Sequence, residues 1–158
     1  MANASPTYPF AAFSFSIEIL LPGRGDPLCA AAFAECDGLE VNMELKTIRE
    51  GGNNDTQVRF AGPLAFGTMT LKRGMTTNFD LWTWFQSAAD DPTLRATARV
   101  VILNPVAQGA GARKELCHFE MSRCLPQKLK APALNARDGI VAIEELQVAY
   151  ETLKFQTP

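Results

Sequence analysis

Phe13-Ser14-Phe15-Ser16-Ile17-Glu18-Ile19 alternates apolar and polar residues without a break. Successive side chains of a strand point to opposite faces, so this period of two predicts a β-strand with one buried face. The period returns at Val41, Met43 and Leu45, and at Met69 and Leu71 between Thr68, Thr70 and Lys72. It returns again at Ala96, Ala98, Val100 and Ile102, interleaved with Arg95, Thr97 and Arg99. Glu115 to Met121 reads as a further strand, and Ile140 to Phe155 as a long extended run with Leu146, Val148 and Tyr150 on one face. Gly38 interrupts an extended stretch from Phe33 to Leu45 and suggests a bulge. Leu125 to Asp138, with two prolines, reads as a connection.

One segment has a helical period. Thr77 is its expected N-cap, with Asp80 three residues on, and Ala88-Ala89-Asp90-Asp91-Pro92 ends it because proline cannot continue the ladder. Phe79, Trp82 and Phe85 fall on its apolar half and are expected in the core. Trp84 falls at the edge of that arc and is expected at a subunit boundary. Residues 46–66 lose all periodicity around Gly51-Gly52-Asn53-Asn54-Asp55 and read as a long extended loop. Loops of that length usually have a function.

With strands outnumbering helices, the expected fold is mainly β (α+β). Two packed antiparallel sheets would form a β-sandwich or barrel with one flanking α-helix, because a single sheet with one apolar face cannot stand alone. The 158 residues suit one domain, 1–158, with 1–10 as a flexible N-terminal arm. The formal net charge of -2 gives no strong draw toward nucleic acid or membrane. No apolar run approaches the ~20 residues of a membrane helix, and Met1 to Phe10 lacks the pattern of a signal peptide.

The search for chemistry returns little. Cys29, Cys36, Cys117 and Cys124 are spaced too widely for the usual C-x2-4-C zinc pairs and read as buried thiols. His118 stands alone within a strand. No nucleophile elbow and no phosphate-binding loop is present. Glu144 and Glu145 are strand neighbours and point apart, so they cannot form an acid/base dyad. Arg24-Gly25-Asp26 matches a receptor-binding tripeptide, but its Gly and Pro neighbours explain it as a turn. No catalytic residue, metal or cofactor is assigned.

Three ordered segments carry a resemblance. Asp37-Gly38-Leu39-Glu40 leads to Thr47-Ile48-Arg49-Glu50-Gly51-Gly52-Asn53. Leu71-Lys72-Arg73-Gly74-Met75-Thr76 precedes Leu81-Trp82-Thr83-Trp84-Phe85. Leu134-Asn135-Ala136, Val141-Ala142-Ile143-Glu144-Glu145-Leu146 and Val148-Ala149-Tyr150-Glu151 close the chain. Together they resemble the inner-tube protein family of contractile-tailed phages and extracellular contractile injection systems.

The resemblance implies a homo-hexameric ring that stacks into a hollow tube, a conduit for effector or genome. A sheath protein would lie outside, baseplate or hub and terminator proteins at the ends, and cargo in the lumen. It implies assembly in the bacterial cytoplasm and then residence in a phage-tail-like particle. Within it, Arg49, Glu50, Asp55 and Arg59 of the 46–66 segment are expected to contact the next ring. Thr68, Thr70, Lys72, Thr97 and Gln147, on the polar strand faces, are candidates to line the lumen. The alternatives are a tube-initiating paralogue at the baseplate, a monomeric β-barrel ligand-binding module, and an enzyme of unrecognised site.

Overall fold

The computed structural model describes residues 9–28, 33–49, 51–52, 55–106 and 111–158. Cys29, Glu50 and most of the expected N-terminal arm lie outside the described residues. The alternating segment that opens the chain forms β1 (Phe15–Leu20), and the short β2 (Glu35–Asp37) follows. Next come β3 (Val41–Ile48), β4 (Val58–Phe66) and β5 (Thr68–Gly74), then α1 (Asp80–Asp90). The chain ends with β6 (Ala96–Leu103), β7 (Glu115–Lys130), β8 (Ile143–Ala149) and β9 (Thr152–Gln156).

Seven of these strands form one antiparallel sheet in the order β1-β6-β7-β8-β5-β2, with β9 also paired to β7. β7 makes this sheet two-layered. Its first part pairs with β6 and β9, and its last part pairs with β8. Strands that bend from one layer into the other are how sheets turn corners. The bend falls at Arg123, whose φ of 53° is unusual for a side chain larger than glycine's. On the facing strand the bend falls at Tyr150-Glu151, between β8 and β9, and Arg123 Nε donates to Glu151 Oε2 at 2.7 Å.

Between the layers lies one apolar cluster. It takes Ile17 and Ile19 from β1, Met69 and Leu71 from β5, Ala98 and Val100 from β6, Met121 from β7, and Leu146 and Val148 from β8. The sheet is not closed on itself, so of the two expected forms the sandwich is the observed one. Pro126 lies inside β7, which runs on through 125–130, the first part of the segment expected to be a connection. It follows Cys124, the last β7 residue paired with β6, so on that edge its missing N–H interrupts no ladder.

The helix differs from its expected form in phase and in cap. Its buried stripe is Leu81, Trp84 and Ala88, spaced by three and four residues. Trp84 is only 1% exposed, so it is core and not a boundary residue. Phe79 is 56% exposed, so it is not core. It occupies the cap position, one residue before the helix begins, where the helical period does not hold. Trp82 and Phe85 are half-buried. Thr77 does not cap the helix. Asn78 Oδ1 accepts from the backbone N–H of Asp80 at 2.9 Å, and Thr76 Oγ1 from that of Asn78 at 3.2 Å.

The largest departure is in residues 46–66. In place of an aperiodic loop, β3 and β4 pair over most of their length as a separate two-stranded hairpin. The register shifts between Met43 and Leu45, opposite Gly62-Pro63. A Cβ on Gly62 would lie 2.5 Å from the Glu44 carbonyl oxygen, so the strands close only around glycine there. This bulge, with exposed apolar residues on both faces, erases the period of two that would have revealed β4.

Candidate assembly surfaces

Every residue of β3 is exposed, and so are most of β4. Residues paired across the hairpin share a face. Val41 with Phe66, Met43 with Leu64 and Leu45 with Ala61 make one face. Ile48 with Val58 and Lys46 with Phe60 make the other, near the tip. Val41, Met43, Leu45, Ile48, Phe60 and Leu64 each leave about half their surface in water. A two-stranded hairpin has marginal stability by itself, and an apolar surface of this extent marks a binding site. Arg49, Asp55 and Arg59 are exposed around the hairpin's far end, with Arg59 opposite Thr47.

The root of the hairpin is fixed. The Tyr150 hydroxyl accepts from the Glu40 backbone N–H at 3.0 Å and lies within hydrogen-bond reach of the Gly38 and Glu40 carbonyls. Gly38 has φ of 85°, and a Cβ there would come within 2.0 Å of the Thr68 carbonyl oxygen. Gly38 is therefore not a bulge. It is the turn by which the chain leaves β2 in the main sheet and enters the hairpin. Tyr150 ties that turn to the break between β8 and β9, so hairpin and sandwich corner are positioned together.

A buried polar cluster fixes α1. Arg73 on β5 and Glu144 on β8 are paired in register and form an ion pair, each almost wholly buried. Trp82 Nε1 donates to Glu144 Oε2 at 3.0 Å, and Arg73 Nη2 donates to the Asn78 carbonyl at 2.8 Å. The Arg73 guanidinium also stacks 6.0 Å from the Phe33 ring centre. Both ends of this pair thus hold the start of α1 against the sheet, and nothing about it faces solvent where a substrate would enter.

The polar strand faces divide in two. Thr68, Thr70, Lys72 and Gln147 share the outer face of the β5–β8 layer, with Thr70 opposite Gln147. Thr97 belongs to β6 in the other layer, opposite Leu20. On that second face Arg99 pairs with Glu18 at 3.5 Å and Glu115 at 3.7 Å, and Glu115 also meets His118 Nδ1 at 2.5 Å. Neither this charged network nor the Tyr150 clamp has a local signature in the sequence. Register alone brings Glu18 beside Arg99.

Among the described residues, no three His, Cys, Asp or Glu side chains converge as metal ligands. Burial, with the Asp37 charge in second place, pushes the Cys36 thiol up to about 11. Burial pushes Cys124 up to about 11 as well and raises Cys117. Such thiols stay protonated at neutral pH and make poor nucleophiles. Arg24-Gly25-Asp26 sits in an exposed turn closed by a bond from the Arg24 N–H to the Leu21 carbonyl.

These features define a structural protein: a β-sandwich with a rigidly rooted apolar hairpin and polar groups engaged in holding the fold. The chain belongs to the family of the T4-like virus tail tube protein gp19, whose model matches residues 11–154. A search of curated proteins finds no significant match. Solved structures share the fold. A chain of the anti-feeding prophage baseplate, 6-fold symmetrised, has a TM-score of 0.82 at 22% identity, covering 96% of this chain and 98% of that one. A chain of the anti-feeding prophage tube-terminating cap has a TM-score of 0.80 at 18% identity, covering 100% of both. A chain of the PVC extracellular contractile injection system, sheath-tube complex in the extended state, has a TM-score of 0.78 at 18% identity, covering 96% and 93%.

Proposed function

We propose that this protein assembles into six-membered rings that stack into the hollow inner tube of a contractile injection system or phage tail. The observation that carries this is the β3–β4 hairpin, apolar on both faces and covered on neither. Six-fold symmetry is favoured because a structural relative comes from a 6-fold symmetrised baseplate. A head-to-tail contact whose rotation closes makes a ring, and a second contact along the axis makes a filament. Subunits are made and assembled in the bacterial cytoplasm and end in the particle. The sheath lies outside, baseplate and terminator proteins cap the ends, and effector or genome passes through the lumen. The subunit's role in delivery is passive rather than catalytic.

In this reading Arg49, Glu50, Asp55 and Arg59 of the 46–66 segment contact the adjoining ring, where opposite charges pair across the junction. Thr68, Thr70, Lys72 and Gln147 line the lumen from the outer face of the β5–β8 layer, and Thr97, on the outer face of the opposite layer, points away from it. The hairpin gives the test. The double substitution Met43→Lys with Leu64→Glu alters only exposed side chains and places opposite charges on a cross-strand pair, so monomer stability stays within ~0.5 kcal/mol of wild type. Sedimentation velocity is expected to show a folded monomer at concentrations where the wild type forms rings. Unimpaired ring formation by this variant would contradict the role given to the hairpin.

A further inference from the structure

One layer of the sandwich consists of β1, β6, the first part of β7 and β9, and both of its outer edges are open. Among the described residues β1 pairs only with β6, and β9 only with β7. The Ser14 carbonyl accepts from the Leu103 N–H at 2.9 Å, on the β6 side. Backbone groups alternate sides along an antiparallel strand, so Phe15 and Ile17 turn their N–H and C=O to the open edge. Further on, the Leu28 N–H takes the Ile19 carbonyl at 2.7 Å and closes that end. An open strand edge is a template for another strand.

The two edges complement each other in direction, in charge and in apolar surface. Every neighbouring pair in the layer is antiparallel, so β1 and β9 run in opposite directions. A second copy's β1 laid beside β9 therefore keeps the alternation. On the outer face, register sets Glu18 opposite Arg99, Arg99 opposite Glu120 and Glu120 opposite Lys154, a row of alternating sign across all the strands of the layer. Glu18 is the sole charged residue of β1, and Lys154 the sole charged residue of β9. On the inner face, Ile17, Val100, Phe119 and Phe155 form the adjacent row. That row ends at the β9 edge with Phe155 58% exposed. Pairing β1 with a second β1, or β9 with a second β9, would bring together only like charges, which is destabilising.

We infer that β9 of one copy pairs antiparallel with β1 of the next, in the register that sets Lys154 opposite Glu18. A slip of one residue would put the polar row of one copy against the apolar row of the other. A slip of two keeps the faces but leaves Lys154 opposite Ser16 or Leu20. In the inferred register Phe155 lies opposite Ile17, whose backbone groups are free to bond, and the charged and apolar rows run on from copy to copy. Each copy gives one edge and receives at the other, a head-to-tail contact that can close into a ring. This inference rests on the ring reading above and assigns a strand-to-strand joint to it.

Reversing one charge at a time tests the joint. Lys154→Glu makes both edges acidic and Glu18→Lys makes both basic, so neither variant matches itself. Each alone, folded by circular dichroism, is expected to need at least about tenfold more protein than the wild type to form rings. Mixed one to one, they are expected to form rings at the wild-type concentration. Alternating subunits meet opposite charge at every joint, and a six-membered ring allows strict alternation. Variants that each form rings as readily as the wild type, or a mixture that forms none, overturn the joint and leave the ring reading standing. Wild-type protein that remains monomeric overturns both. A second measurement places Glu18→Cys and Lys154→Cys in one chain. Within a copy the two positions are three strand spacings apart, about 14 Å, too far for a disulfide, which needs Cα atoms about 4.4–6.8 Å apart. Mild oxidation of assembled protein is expected to give a covalent ladder up to the hexamer, and Gln156→Cys in place of Lys154→Cys is expected to give little. Rings without the ladder, or equal ladders from both pairs, overturn the register.

Discussion

Trp84→Ala is expected to cost the isolated subunit about 3–5 kcal/mol of stability, the range for deleting a fully buried large side chain. Trp84 is the largest fully buried side chain and sits at the centre of the stripe that packs α1 on the sheet. The loss comes from apolar contact and the cavity left behind, not from a hydrogen bond. Its Nε1 is buried without a partner among the described residues. Trp84→Phe removes that unsatisfied donor, which offsets part of the lost packing, and is expected to cost much less. Trp82 is half-buried with its indole N–H on Glu144, so Trp82→Ala is expected to cost less than Trp84→Ala. Urea unfolding of the disassembled subunit measures all three. If Trp82→Ala proves the more damaging of the two alanine variants, the phase assigned to α1 is wrong.

The second large effect is at the buried ion pair. Glu144→Leu leaves the Arg73 guanidinium buried without its carboxylate, and breaking such a pair costs about 3–5 kcal/mol. The double substitution Arg73→Met with Glu144→Leu removes both charges and is expected to recover most of that loss, because an apolar pair of similar volume needs no desolvated charge. The start of α1 would still lose the bond from Arg73 to the Asn78 carbonyl and that from Trp82 to Glu144. Hydrogen exchange of the first helical turn is therefore expected to stay faster than wild type even in the double variant. A double variant no more stable than Glu144→Leu would show that the pair does not act through charge burial.

The sandwich was legible because its strands bury one face. Ile17, Ile19, Met69, Leu71, Ala98, Val100, Leu146 and Val148 keep a strict period of two and form the core. Where burial takes another form, the pattern misleads. Val41, Met43 and Leu45 alternate as a half-buried strand would, yet they are exposed on the hairpin. An apolar row looks the same in sequence whether its own sheet covers it or the cover must come from elsewhere. The helix was found by its period and its proline stop, but its apolar arc was too wide to fix which tryptophan faces inward. Tertiary packing selects Leu81, Trp84 and Ala88.

The assembly surfaces were legible only in outline. The charged residues of segment 46–66 stood out, but its strands did not, because the bulge opposite Gly62-Pro63 shifts the register and apolar residues lie on both faces. Gly38 stands out in the sequence, but its reason, the Thr68 carbonyl from a strand thirty positions along the chain, does not. Nothing in the sequence pairs Arg73 with Glu144, since their contact depends on the β5–β8 register. The Tyr150 clamp depends likewise on a contact between distant parts of the chain.

The central claim is assembly, and electron microscopy of the purified protein at high concentration, with two-dimensional averaging of end-on views, tests it most directly. The account predicts hollow rings with six-fold symmetry that stack into tubes. Uniform small monomers across salt and crowding conditions, and in the presence of the sheath and baseplate proteins, would contradict it.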